Sequence, residues 1–113
     1  MAIPTFKSVG VALSTTNRTT LYTTPSLSRA VVTSIMAGNV DGSSAATLKL
    51  EWYDASATTH YALTGAYSIA ANGYLIISDS PIYFDAGDLL SATAGAANDL
   101  TVTAFVEEYS TGF

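Results

Sequence analysis

The stretch Ala46-Thr47-Leu48-Lys49-Leu50-Glu51-Trp52-Tyr53 decides the fold class. Leu48, Leu50 and Trp52 alternate with Thr47, Lys49 and Glu51. A period of two sends the first set to one face of a strand and the second set to the other, so the segment reads as a half-buried β-strand. The same pattern recurs outward from it. Over 100–107, Leu100, Val102, Ala104 and Val106 face one way, and Thr101, Thr103, Phe105 and Glu107 face the other. Val9, Val11 and Leu13 alternate with Ser8, Gly10 and Ala12. Arg29–Ala37 and Tyr74–Ser78 are apolar on both faces, which predicts central strands. Leu89–Ala94, Thr59–Leu63 and a short piece at Arg18–Thr23 bring the set to about eight strands. No window keeps apolar residues at i, i+3, i+4 and i+7 for about ten residues, so no substantial helix is expected.

The punctuation fits this reading. Thr24-Pro25-Ser26 breaks the chain after Tyr22, and Asp41-Gly42 inside Asn39–Ser44 is a hairpin signal. Asp54–Ala57 is a short loop between two strands. Ala71-Asn72-Gly73 supplies a positive backbone φ at little cost. Asp85-Ala86-Gly87-Asp88 and Gly95–Asp99 lead into further strands. Turn signals every ~8–12 residues predict a single all-β, antiparallel domain, a sandwich or a barrel. Residues 9–113 form that domain. Residues 1–8 are expected to be an extended N-terminal arm, because Pro4 cannot serve inside a central strand and Ile3 and Phe6 flank it.

Composition narrows the partners. The chain has 113 residues, enough for one domain, with a net charge of −5 and 12% charged residues. That balance argues against nucleic acid, which calls for a basic patch. A hydrophobic share of 49% argues against intrinsic disorder. No window approaches the ~20 apolar residues of a membrane span, so no membrane partner is expected. Cys is absent, and the N-terminus lacks the pattern of a signal peptide, which predicts synthesis in a cytoplasm. Ser and Thr together supply 29 positions.

Little in the chain points to chemistry. His60 is the lone histidine, on the strand face opposite Tyr61 and Leu63, a solvent-facing position with no Gly-x-Ser-x-Gly elbow to serve. Glu107 and Glu108 are adjacent in a strand and point to opposite faces. Asp85 and Asp88 read as caps of loop N–H groups rather than as calcium ligands with Asp79. No catalytic, cofactor-binding or metal-ligating residue is assigned, no cofactor is expected, and the chain does not read as an enzyme. Trp52 is expected in the core, so that Trp52→Ala would cost about 3–5 kcal/mol. Tyr53 and Tyr61 are expected to cover a sheet edge or a subunit contact. With Trp52 they could instead form the sugar-stacking platform of a carbohydrate-binding module. Ile3, Phe6, Tyr53, Tyr61 and Phe113 are the candidate contact residues.

The order of segments carries a family resemblance. Thr20-Leu21-Tyr22-Thr23-Thr24-Pro25 precedes the β-branched run Arg29–Ile35, a turn at Asn39 and the Leu-x-Leu-x-Trp strand. Ala71-Asn72-Gly73, Pro81-Ile82, Ala86–Ala92 and a Val/Thr strand ending in Glu107-Glu108 follow. This resembles small virion structural proteins of tailed bacteriophages, over roughly Thr19 to Ser110. The resemblance implies a jelly-roll sandwich on a virion, and its size matches capsid cement (decoration) proteins. It implies the major capsid protein as partner, a homo-oligomer (trimer favoured, dimer possible), and a place on the capsid surface. A neck, tail or fibre-base component is the alternative within the same class.

Overall fold

The computed structural model describes residues 4–78 and 81–110. They form ten strands: β1 (Thr5–Leu13), β2 (Thr19–Thr23), β3 (Ser28–Asn39), β4 (Ala46–Asp54), β5 (Thr59–Ala62), β6 (Tyr67–Ile69), β7 (Tyr74–Ile77), β8 (Ile82–Phe84), β9 (Leu89–Ala94) and β10 (Leu100–Ser110). Two five-stranded antiparallel sheets result. In the first, β10 and β3 lie side by side, β1 flanks β10, and β7 and β8 share the far side of β3. In the second, β9 and β4 lie side by side, β2 flanks β9, and β5 and β6 share the far side of β4. The expected all-β antiparallel sandwich is what the chain builds.

The inner faces meet in one apolar layer. Leu13, Ile35, Phe84, Leu100, Val102 and Ala104 come from the first sheet, and Leu48, Leu50, Ile69 and Leu90 from the second, all buried. Two bulges set which residues reach that layer. In β3 the register shifts opposite Phe105/Val106, where Ser34 and Val32 are the successive partners. Thr33 is the extra residue, so Ala30 and Val32 point inward before it, and Ile35 and Ala37 after it. In β2 the shift between Thr20 and Tyr22 lets both Leu21 and Tyr22 be buried. The Tyr22 hydroxyl then crosses the layer to donate to a Glu108 carboxylate oxygen at 2.5 Å, which also takes Lys7 Nζ at 3.1 Å. Burial, and then the bond to Glu108, hold the Tyr22 hydroxyl well above its ordinary pKa.

Most connections cross from one sheet to the other. The Asp41-Gly42 segment therefore does not close the expected hairpin: β3 belongs to the first sheet and β4 to the second, so the segment is an arch. Side chains hold it in place of ladder bonds. Asn39, buried, donates its amide to the carbonyls of Ser44 and Ile69, and Asp41 accepts from the Ser43 and Ser44 amides. At the Asn72-Gly73 turn it is Asn72 that takes the positive φ, 57°. Gly73 is needed for room instead: a Cβ there would lie 2.8 Å from the Ala70 carbonyl oxygen.

Several strand expectations change. Arg29–Ala37 is central, as read, but Tyr74–Ser78 is not: β7 is the edge of its sheet, and its outward side chains are uncovered. The three-residue strands β6 and β8 are too short to show alternation and were not anticipated. Thr5–Ser8 of the expected arm run as part of β1, paired to Phe105–Glu108 of β10. Residues 1–3 lie outside the described residues.

Two buried carboxylates tie loops to the frame. Asp88, 2% exposed, accepts from the backbone N–H of Asp85 (3.0 Å) and Ala55 (3.0 Å) and from Trp52 Nε1 (3.1 Å), which is the capping role expected of it. Glu51, 5% exposed, sits on the outer face of the second sheet, with Arg18 Nε at 2.9 Å from one oxygen and Arg18 Nη2 at 3.3 Å from the other. Asp88→Ala strands three N–H donors and is expected to cost about 3–5 kcal/mol in urea unfolding. A loss under about 1 kcal/mol would show that water replaces the carboxylate freely. The hydrogen bonds from Arg18 hold the Glu51 carboxyl below its ordinary pKa. Its ionised form therefore adds stability that is complete above the unfolded-state pKa and lost as pH falls through the lower folded-state value. The stability advantage of the wild-type chain over Glu51→Gln should shrink steadily on acidification. An advantage independent of pH in the acid range contradicts the ion pair.

Candidate functional site: the outer face of the first sheet

The two outer faces differ in kind. That of the second sheet is polar and charged. Arg18 lies over Glu51, Lys49 Nζ is 3.7 Å from Glu51, and Tyr53 packs on His60 with ring centroids 4.7 Å apart. His60 is half-buried there rather than solvent-facing, and its Nδ1 is buried without a partner. Among the described residues, no three His, Cys, Asp or Glu side chains gather where they could hold a metal ion.

The outer face of the first sheet is built in cross-strand rows. The pairing registers place Phe6, Glu107, Val31 and Tyr83 in one row. The next holds Ser8, Phe105 and Ser34. Then come Gly10, Thr103, Met36 and Ile76, and last Ala12, Thr101, Gly38 and Tyr74. Because same-row side chains stand on the same face, these residues form one continuous surface. Five of them are large, apolar or aromatic, and uncovered: Phe6 73%, Tyr83 73%, Tyr74 72%, Ile76 47% and Met36 42% exposed. Charge is confined to one end, where Glu107 accepts from the Tyr109 hydroxyl at 2.8 Å and Arg29 lies 3.8 Å from Asp85. Small residues between the large ones leave two shallow grooves. One, about 380 Å³, runs between Val31, Tyr83 and Tyr109 at the charged end. The other, about 250 Å³, lies between Met36, Gly38, Tyr74 and Phe105. Clustered exposed apolar side chains are uncommon on globular proteins, which makes this face the candidate site.

The sequence-derived contact residues are scattered by the fold. Phe6 lies on this face. Tyr53 is on the outer face of the second sheet. Tyr61, in register with Trp52, stacks on it at 5.4 Å and 27° where the inner face of the second sheet opens. Ile3 and Phe113 are outside the described residues. Trp52 is half-buried rather than a closed core residue, so Trp52→Ala should cost nearer to 2–3 kcal/mol, about the low end of aromatic truncations. Its ring is also occupied on both counts, stacked by Tyr61 and bonded to Asp88, which leaves less of a sugar-stacking platform than the sequence suggested. Met36, Tyr74, Ile76 and Tyr83 were missed. For Met36, Tyr74 and Ile76 the signal was present in the apolar outward positions of β3 and β7, but it reads equally as burial on both sides; Tyr83 stands in β8, three residues long and too short to carry one.

No protein-family model matches the chain, and no curated protein matches its sequence. Solved structures do share its fold. A chain in the acid-stable capsid of Helicobacter pylori bacteriophage KHP30 superposes with a TM-score of 0.58 at 12% identity, over 99% of this chain and 94% of that one. A chain of the virus-like particle of Macrobrachium rosenbergii extra small virus superposes with a TM-score of 0.52 at 17% identity, over 99% of this chain and 81% of that one. At such identities the likeness establishes the fold, an antiparallel sandwich of jelly-roll type whose chain passes repeatedly between its two sheets.

Proposed function

We propose that the chain is a virion structural protein that cements a capsid by binding across neighbouring shell subunits. The observation that carries this reading is the nearly uncharged, row-ordered outer face of the first sheet, on a sandwich whose described residues gather no site for chemistry. It is a surface for packing against other subunits. The likeness of fold to a phage-capsid chain of nearly equal length supports the same reading. The partner is the major capsid protein, the location is the capsid surface, and synthesis takes place in the host cytoplasm.

The mechanism is stapling. A rigid body that binds only the assembled arrangement of two or more subunits stabilises that arrangement by mass action. Short Ser, Thr, Gly and Ala side chains on the contact surface have little rotamer freedom to lose, which lowers the entropic cost of docking. An oligomer that engages several subunits gains further through effective concentration. Phe6, Tyr53 and Tyr61, together with Ile3 and Phe113, are the contact residues in this reading.

Shells stripped of this protein should take up the purified chain to a fixed stoichiometry on co-sedimentation, and should then resist heat or denaturant better. In the native particle the chain should be present in hundreds of copies. A few copies per particle would move it to the neck or tail, and no uptake by any shell would sink the cement reading.

A further inference from the structure

We infer that the outer face of the first sheet docks a second copy of this chain, sheet against sheet across a two-fold axis. The inference makes a second copy, rather than a shell subunit, the occupant of this face; such a dimer would meet the shell through its second sheets, where Tyr53 and Tyr61 lie, and it does not need a virion to hold.

Charge is the first ground. Two copies of a chain with net charge −5 repel each other, and a two-fold contact sets identical patches together. Close approach is therefore possible only where the acidic side chains are absent. Asp88 is buried, Glu108 turns inward to Tyr22, Glu51 and Asp54 belong to the second sheet, and Asp41 and Asp99 lie in the arches. On the face itself, the described residues in the rows of Phe105, Met36 and Gly38 carry no charge. Glu107 and Asp85 stand at one end beside Arg29, and that end can lie off the axis.

Area is the second. The sheet is four strands wide, and its two central strands have 12 and 11 residues. At strand spacings of about 4.8 Å and a rise of about 3.3 Å per residue, that is a plan of roughly 700 Å². Projecting rings raise the accessible area above the plan, toward the ~800 Å² per partner of a stable interface. Shape and composition agree. Met36, Ile76 and Tyr74 project beside the small residues Ser34 and Gly38, a relief into which the side chains of a second sheet can fit at a spacing of about 10 Å. Contacts between copies of one chain are also the apolar class of protein interface, whereas contacts between unlike partners carry more charge.

Sedimentation velocity on the purified chain tests this. The wild-type chain should sediment as a dimer at micromolar concentration. The double substitution Met36→Glu/Ile76→Glu places four carboxylates in the contact and should give a monomer with an unchanged far-ultraviolet spectrum. Ser68→Glu/Thr93→Glu, which adds the same charge to the outer face of the second sheet, should leave the dimer intact. The inference is overturned by a wild-type monomer at about 100 μM, by a dimer that survives the Met36/Ile76 change, or by equal sensitivity to the Ser68/Thr93 change. A wild-type monomer that still binds shells overturns this inference alone and assigns the face to the shell. A dimer that binds no shell upholds it and rejects only the cementing role.

Discussion

A single apolar layer, shared by two sheets between which the chain crosses repeatedly, governs everything else in this fold. Each passage between sheets removes backbone groups from a ladder, and buried polar groups must find other partners. The arches supply them with side chains. Asn39 and Asp41 hold the passage from β3 to β4, and Asp88 joins the turn before β9 to the loop after β4. The bulges in β2 and β3 serve the same layer, turning Leu21, Tyr22 and Ile35 inward where strict alternation would have sent one of each pair out.

Once that layer is filled, the two outer faces are free to differ, and they do. The second sheet keeps a buried carboxylate, Glu51, capped by the exposed Arg18, and a half-buried His–Tyr contact. The first keeps Tyr, Phe, Met and Ile in the open, among Gly, Ser and Thr. A chain with 12% charged residues cannot cover both faces with charge, and on the first sheet Arg29, Asp85 and Glu107 gather at one end and leave the rest of the face apolar. The resulting asymmetry gives the molecule a direction: a polar side that water tolerates and an apolar side that other subunits can cover.

Strand existence was legible because half-buried strands alternate. Leu89–Ala94 has the boundaries read from its pattern, and Ala46–Tyr53 and Arg18–Thr23 fall within a residue of theirs. The errors have local causes. Three residues carry too little period to reveal β6 or β8. Apolar residues at every position of Tyr74–Ile77 describe a strand covered on both sides, or a strand covered on one side and waiting for a partner on the other, and the text of the chain is the same for both. Asp41-Gly42 carries the local chemistry of a turn, but whether a turn closes a hairpin or spans an arch depends on which sheet receives the next strand. Glu51 was read as outward, and it is outward; its burial comes from Arg18, which is 33 residues away in sequence.

The class was already written in the chain's own text: β rather than α, and antiparallel. These follow from periodicity and composition, which are local and additive properties. Only the tertiary structure decided the surface that matters. The rows that unite Phe6, Val31, Met36, Tyr74, Ile76 and Tyr83 draw on five strands that lie far apart in the chain, and a one-residue bulge at Thr33 sets which face half of β3 presents. Register is a cooperative outcome of pairing and core burial, so no single segment contains it.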